Sequence, residues 1–380
     1  MFSCGGGGGG GSSSSTPISP VSCSSLLAPL SYSLATCLYA DTDQGYFNEP
    51  IIKVYIDGQP VKLLVDTGRS GLVVNSSAVN IPSSDIYSSY SFVDSFHDYH
   101  YLLSGTMAIA TVCLNPSITN SCVLMKIGVL GSSDGLFSTS SEAQGVFGLA
   151  SGFNFNSLDY SYPSYMIGYS YPTYLERKYG MNSYTISFSS LTNGYYSDVS
   201  STTPIGYISF GTYNGNSNTL IPHNIYGASG RPRTIVVFPS SNSSTTSFTD
   251  YAVFDSSYRY NIFSPSVFQT EILNFNQGLD VGNCANQYGF PDSIVNGGLS
   301  ITYSLQTNSG SFYSGSFTTE PSFSFCQAGI PFNLMEGVTL DNGGYPEIFG
   351  LPAMLGHTFT WVLANSGPYQ GFVQYIGISP

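Results

Sequence analysis

Charge is scarce in this chain. Of 380 residues only 8% are Asp, Glu, Lys or Arg, against roughly 25% in an average soluble protein. Lys and Arg number 9 against 22 acidic residues, a formal net charge of −13 at pH 7. So few cations leave no basic patch for phosphate, which excludes nucleic acid as a partner. Histidines number 4 and tryptophan occurs once. The sequence has no HExxH, no C-x-x-C and no P-loop lysine. Zinc and nucleotide chemistries therefore lack their motifs. His97 and His100 stand three apart without a third ligand in view, and read as loop residues rather than a metal site. No run of 18 apolar residues occurs, so no membrane span is expected. No Lys or Arg precedes Lys53, so the modestly apolar stretch Leu26 to Ala40 lacks the positive start of a signal peptide.

What is present points to strands. Tyr (30), Phe (25) and Gly (42) are abundant, and 42% of residues are hydrophobic. Aromatic residues favour pleated surfaces and glycines favour turns. The length suits two lobes around a large core. The sequence pI near 4.3 keeps the chain charged at mildly acidic pH.

The seven cysteines suggest an oxidising compartment. Cys113 and Cys122 are spaced to clip a hairpin, and Cys284 with Cys326 to close a later loop. Cys4, Cys23 and Cys37 remain as an odd set. Asn75-Ser76-Ser77 and Asn242-Ser243-Ser244 are glycosylation sequons, weak signals in a Ser-rich chain. The first 25 residues are Gly/Ser low complexity, and Gly5 to Gly11 is no dinucleotide fingerprint because no strand precedes it. Residues 1–44 are expected to be flexible or processed, 45–213 to form a first lobe and 214–380 a second.

A repeat of pattern organises the rest. Ile51-Ile52-Lys53-Val54-Tyr55-Ile56 alternates as a strand, turns at Asp57-Gly58, and returns through Val61 to Val65 into Asp66-Thr67-Gly68. Later, Tyr251-Ala252-Val253-Phe254 runs into Asp255-Ser256-Ser257. Each Asp strand is followed by an apolar-apolar-Gly element. Gly145-Val146-Phe147-Gly148 follows the first and Ala353-Met354-Leu355-Gly356 the second. A strand ending in glycine can pass close behind a turn. Two such units predict two β-lobes facing across a cleft.

This arrangement resembles the pepsin-like aspartic proteases over about residues 45 to 380. The residues that carry the resemblance are Tyr46 to Asn75, Gly206 to Gly211, Asp255 to Phe268, and Ala353 to Phe372. It implies a mostly-β, bilobal fold with an inter-lobe cleft. It implies an endopeptidase without cofactor, with Asp66 and Asp255 sharing one proton and activating water at acid pH. Thr67 and Ser256 would tie the lobes behind the dyad, Gly68 would let an N–H reach a carboxylate, and Ser70 would support Asp66. Tyr101, near a hairpin tip within residues 99–107, would be the flap tyrosine. The resemblance also places a second-lobe disulfide at Cys284 and Cys326. A peptide or protein substrate, a monomer, and a secreted or endolysosomal or vacuolar lumen are the expected setting.

Several positions depart from the family pattern. Ser257 stands where the pattern has Gly, Tyr258 where it has a small hydroxyl residue, and Arg259 adds a cation. A Cβ at 257 is expected to disturb the tight turn. Arg69 replaces a Ser, Val73 and Val74 replace the usual Trp, and His357 follows the last Gly. These departures support a second reading, a catalytically inactive protein of the same fold that binds a protein or glycan or is structural.

Overall fold

The computed structural model describes residues 22–30, 34–41, 49–96, 101–131, 142–150, 169–189, 202–223, 233–239, 245–257, 262–263, 279–280, 293–294, 300–318, 335–336, 347–367 and 370–380. Within these it is a β protein with three α-helices, α1 (Cys23–Leu27), α2 (Tyr171–Tyr179) and α3 (Leu351–Met354), and three short 3-10 turns. Among the described residues no helix is long and apolar enough to cross a membrane.

The first half supplies β1 (Leu34–Ala40), β2 (Pro50–Ile56), β3 (Gln59–Asp66), β4 (Ser70–Asn75), β5 (Ile86–Phe96), β6 (Tyr101–Cys113), β7 (Cys122–Leu130), β8 (Gly145–Leu149), β9 (Ser183–Phe188) and β10 (Pro204–Gly211). Then follow β11 (Ile221–Pro222), β12 (Arg233–Pro239), β13 (Thr245–Phe254), β14 (Ile262–Phe263), β15 (Leu279–Asp280) and β16 (Ser293–Ile294). The last are β17 (Ser300–Gln306), β18 (Phe312–Thr318), β19 (Met335–Glu336), β20 (Glu347–Phe349), β21 (Thr358–Leu363) and β22 (Val373–Ser379). They form two sheets, ordered β11-β22-β21-β9-β10-β1-β2-β3-β8-β4-β7-β6-β5 and β15-β16-β19-β14-β20-β13-β12-β17-β18.

The β2–β3 hairpin forms as the sequence suggests. Its two-residue loop, Asp57 and Gly58, has positive φ at both positions (47° and 78°). That turn matches the twist of the flanking strands, and Asp and Gly tolerate it. The Asp57 carboxylate also accepts the Thr111 N–H at 2.8 Å, which fixes the hairpin against β6.

The repeat is one of topology. In the first unit β3 pairs parallel with β8, β8 antiparallel with β4, and β4 parallel with β7. In the second, β13 pairs parallel with β20, β20 antiparallel with β14, and β14 parallel with β19. Each unit ends its first strand at an aspartate. Gly148 lies opposite Asp66 in the first unit. In the second, Phe349 pairs with Phe254, and its carbonyl accepts the Asp255 N–H at 3.0 Å. The element behind the second loop is therefore Glu347-Ile348-Phe349-Gly350, not Ala353 to Gly356. The residue following the glycine is Leu351 rather than His357. Gly356 serves elsewhere, turning the chain out of α3 at φ 74°.

Two further expectations change. Residues 34–40 are not a loose leader. They form β1, paired with β10 on one side and β2 on the other, with Leu34, Cys37, Leu38 and Ala40 buried. Cys37 is bonded to Cys23, which anchors α1, so two of the odd cysteines pair. The Cys113–Cys122 bridge forms as expected, across the β6–β7 hairpin. Cys4, Cys284 and Cys326 lie outside the described residues. Second, the final strands β21 and β22 join the first sheet through β9, so one sheet carries strands from both halves of the chain.

The core is continuous across that junction. Tyr184 on β9 stacks on Trp361 of β21, with centroids 4.9 Å apart and planes at 9°. Phe254 at the end of β13 packs on Phe349 (5.4 Å) and Phe359 (4.9 Å). Aromatic pairs at these distances add to the area each ring buries. They hold fixed the strand end that carries Asp255.

Candidate active site

Asp66 and Asp255 leave their strands toward each other. Both are buried, at 3% and 8% exposure. Each carboxylate accepts the N–H of the residue two further on. Gly68 donates to Asp66 Oδ1 at 2.8 Å and Ser257 to Asp255 Oδ1 at 3.0 Å. This is the local hydrogen bond that Asp makes when it ends a strand and opens a turn.

Thr67 and Ser256 lock the two loops together by a reciprocal exchange. The Thr67 hydroxyl donates to the Phe254 carbonyl at 2.6 Å and accepts the Ser256 N–H at 3.0 Å. The Ser256 hydroxyl donates to the Val65 carbonyl at 2.6 Å and accepts the Thr67 N–H at 3.3 Å. Each hydroxyl thus holds the residue that precedes the opposite aspartate.

Gly68 is where the loops come closest. A Cβ there would lie 2.1 Å from Asp255 Oδ2. The position requires glycine because of this approach and not because of its φ. Gly68→Ala is expected to push the Asp255 carboxyl out of register and to destabilise the junction by about 1–3 kcal/mol. Urea denaturation of the variant beside the parent checks it.

Ser257 does not obstruct its turn. Among the described residues the only non-glycine with positive φ is Asp57, so Ser257 sits in an ordinary backbone region. Its hydroxyl joins its N–H on Asp255 Oδ1, at 2.8 Å. The residue expected to damage the second loop gives Asp255 a second donor. The signal is present in the sequence, because a serine two residues after an aspartate can reach back to it with both groups.

The two carboxyls interact directly. Burial raises the Asp255 carboxyl well above the ordinary carboxylate range; the Asp66 charge, and more weakly a hydrogen bond between the two, push the same way. The Ser257 donors pull it down less strongly. Two buried carboxyls that interact in this way can share one proton.

The groups around Asp66 differ from expectation. Ser70 is buried and begins β4 opposite Leu149. Among the described residues no hydrogen bond joins its side chain to Asp66. The side chain that faces Asp66 Oδ2 is Arg69, whose Nε lies 3.6 Å away. Tyr101 is the first residue of β6 and pairs with Phe96 across the β5–β6 hairpin. The tip of that hairpin, 97–100, and the Tyr101 side chain lie outside the described residues, as do Tyr258 and Arg259.

Solved structures contain the same architecture. The chain aligns with the crystal structure of the aspartic proteinase from Irpex lacteus at a TM-score of 0.59, over 91% of this chain and 97% of that one. The fold is the bilobal pepsin-like one. Sequence identity over the match is 16%, so the likeness is one of fold. No family model matches the chain, and no curated protein matches its sequence. Within the pepsin-like fold, the two topologically equivalent units of this chain each bring one aspartate to the junction.

Proposed function

We propose that this protein is an acid endopeptidase in which Asp66 and Asp255 activate water. The observation that carries the reading is the buried, interacting pair of carboxyls, with Asp255 pushed above its ordinary range by burial and by the Asp66 charge. The deprotonated member takes a proton from water as the oxygen attacks the scissile carbonyl. The protonated member gives its proton to the carbonyl oxygen. The tetrahedral intermediate then collapses and the amine leaves with a proton returned from the pair. Ser257 is the departure that speaks most against catalysis in the sequence, and its two hydrogen bonds to Asp255 favour the catalytic reading over the non-catalytic one.

An extended peptide substrate would bind under the β5–β6 hairpin, partly through its backbone as an added strand. The two disulfides support a secreted or lumenal setting.

The test is cleavage of a denatured protein across pH 2 to 7, with and without pepstatin, beside Asp66→Ala. Acid-dependent cleavage that pepstatin blocks and the variant lacks is the expected result. Cleavage that survives both refutes the dyad. A folded parent protein without activity at any pH supports the non-catalytic reading.

A further inference from the structure

Burying an arginine is costly, and this chain buries one beside the carboxyl pair. Arg69 is 3% exposed. Its backbone is held in place: the Ala150 N–H donates to the Arg69 carbonyl at 2.8 Å, and the next residue, Ser70, is already paired with Leu149. The side chain therefore starts from a fixed point, and its Nε lies 3.6 Å from Asp66 Oδ2. Across the junction, Asp255 receives the N–H and hydroxyl of Ser257, both neutral donors. Among the described residues the loops match in their reciprocal hydroxyls, and Arg69 is the cation at the junction.

Resting on the catalytic reading above, we propose that Arg69 is a positioning residue that decides which carboxyl holds the shared proton, keeping Asp66 as the charged base and Asp255 as the acid. A guanidinium does not give up its proton. Protonating Asp66 takes the facing charge from a buried cation, whereas protonating Asp255 leaves that ion pair intact. The proton is therefore driven to Asp255, in agreement with the elevation of that carboxyl. Among the described residues, the charged and titratable groups at this junction are Asp66, Asp255 and Arg69. Thr67, Ser256 and Ser257 contribute hydroxyls that do not titrate in the acid range. The cation also favours loss of the last proton from the pair, so it sets the upper edge of the active pH range lower than an uncharged residue would.

The experiment compares the parent protein with Arg69→Gln and Arg69→Lys by two measurements. One is kcat/KM against pH on a peptide. The other is the carboxyl ¹³C titration of the two aspartates. In the parent, the last proton is expected on the Asp255 resonance. In Arg69→Gln the upper limb of the activity profile is expected to rise by about one pH unit or more, with the proton spread over both resonances. Arg69→Lys should stay near the parent. A parent protein whose last proton sits on Asp66, or is already spread evenly, overturns the proposal whether or not Arg69→Gln folds. So does a folded Arg69→Gln with unmoved limb and titration. A parent that cleaves nothing defeats the catalytic reading alone, and the carboxyl titration still decides the role of Arg69.

Discussion

Asp255→Asn is expected to abolish cleavage and, at the same time, to make the folded protein more stable at neutral pH. Asparagine has the shape of the protonated acid. Its Oδ1 can still accept the two Ser257 donors, and its amide can still donate toward Asp66, but it has no proton to give the substrate. Loss of a general acid lowers the rate by about 10²–10⁴-fold. The stability gain follows from the raised Asp255 carboxyl. Between the ordinary aspartate range and the elevated folded value, the folded state holds a proton that the unfolded state has released. Unfolding therefore releases a proton, so stability falls as pH rises through that window. The slope is about 1.4 kcal/mol per pH unit. The contribution is fully present below the unfolded value and lost above the folded one. The parent Tm is thus expected to fall from mildly acid toward neutral pH, and the variant Tm to fall less. Thermal melts of both proteins at pH 4 and pH 7 check this. Equal pH dependence in the two would mean that Asp255 is not held protonated.

Thr67→Val should be a strongly damaging change despite being nearly isosteric. It removes the hydroxyl that donates to the Phe254 carbonyl and accepts the Ser256 N–H. Both backbone groups are left buried without that partner, at about 1–3 kcal/mol each. A loss of about 2–6 kcal/mol is expected in urea denaturation. Thr67→Ser, which keeps the hydroxyl, should lose far less. The same bonds set the distance between the two aspartates, so kcat should fall even where Thr67→Val remains folded. Combining it with Ser256→Ala should cost less than the sum of the single changes, because both residues belong to one network.

Much of the fold is legible along the chain because its signals are local. The alternation of Ile51 to Ile56, the Asp57-Gly58 turn and the Val65-Asp66-Thr67-Gly68 strand end each announce themselves within a few residues. Gly148 is legible for the same reason. The second glycine is not, because apolar-apolar-Gly occurs at both Ile348-Phe349-Gly350 and Met354-Leu355-Gly356. Only the parallel pairing of β20 with β13 separates them, and that contact joins segments far apart in the chain. Strand β1 escapes a sequence reading because it is buried between β10 and β2. Its residues therefore run Leu-Ala-Thr-Cys-Leu-Tyr-Ala without a clean alternation, in a stretch that follows low complexity. Arg69 is visible as a departure. Its role is not, since a charge close to an aspartate in sequence says nothing of burial. At Ser257 the Cβ suggests a clash, whereas the hydroxyl beyond it decides the outcome.

The joining of β21 to β9 has a consequence for how the protein is made. Strand β9 is complete when about half the chain has been synthesised, but its outer edge is occupied by residues 358–363. Those residues are synthesised about 170 positions after β9. Until then the nascent first lobe carries an open strand edge beside Tyr184, whose stacking partner Trp361 has not yet arrived. Such edges template association between chains. The chain is therefore most vulnerable to aggregation while residues 358–363 have not yet been added, and a premature stop anywhere before Thr358 leaves that edge permanently bare.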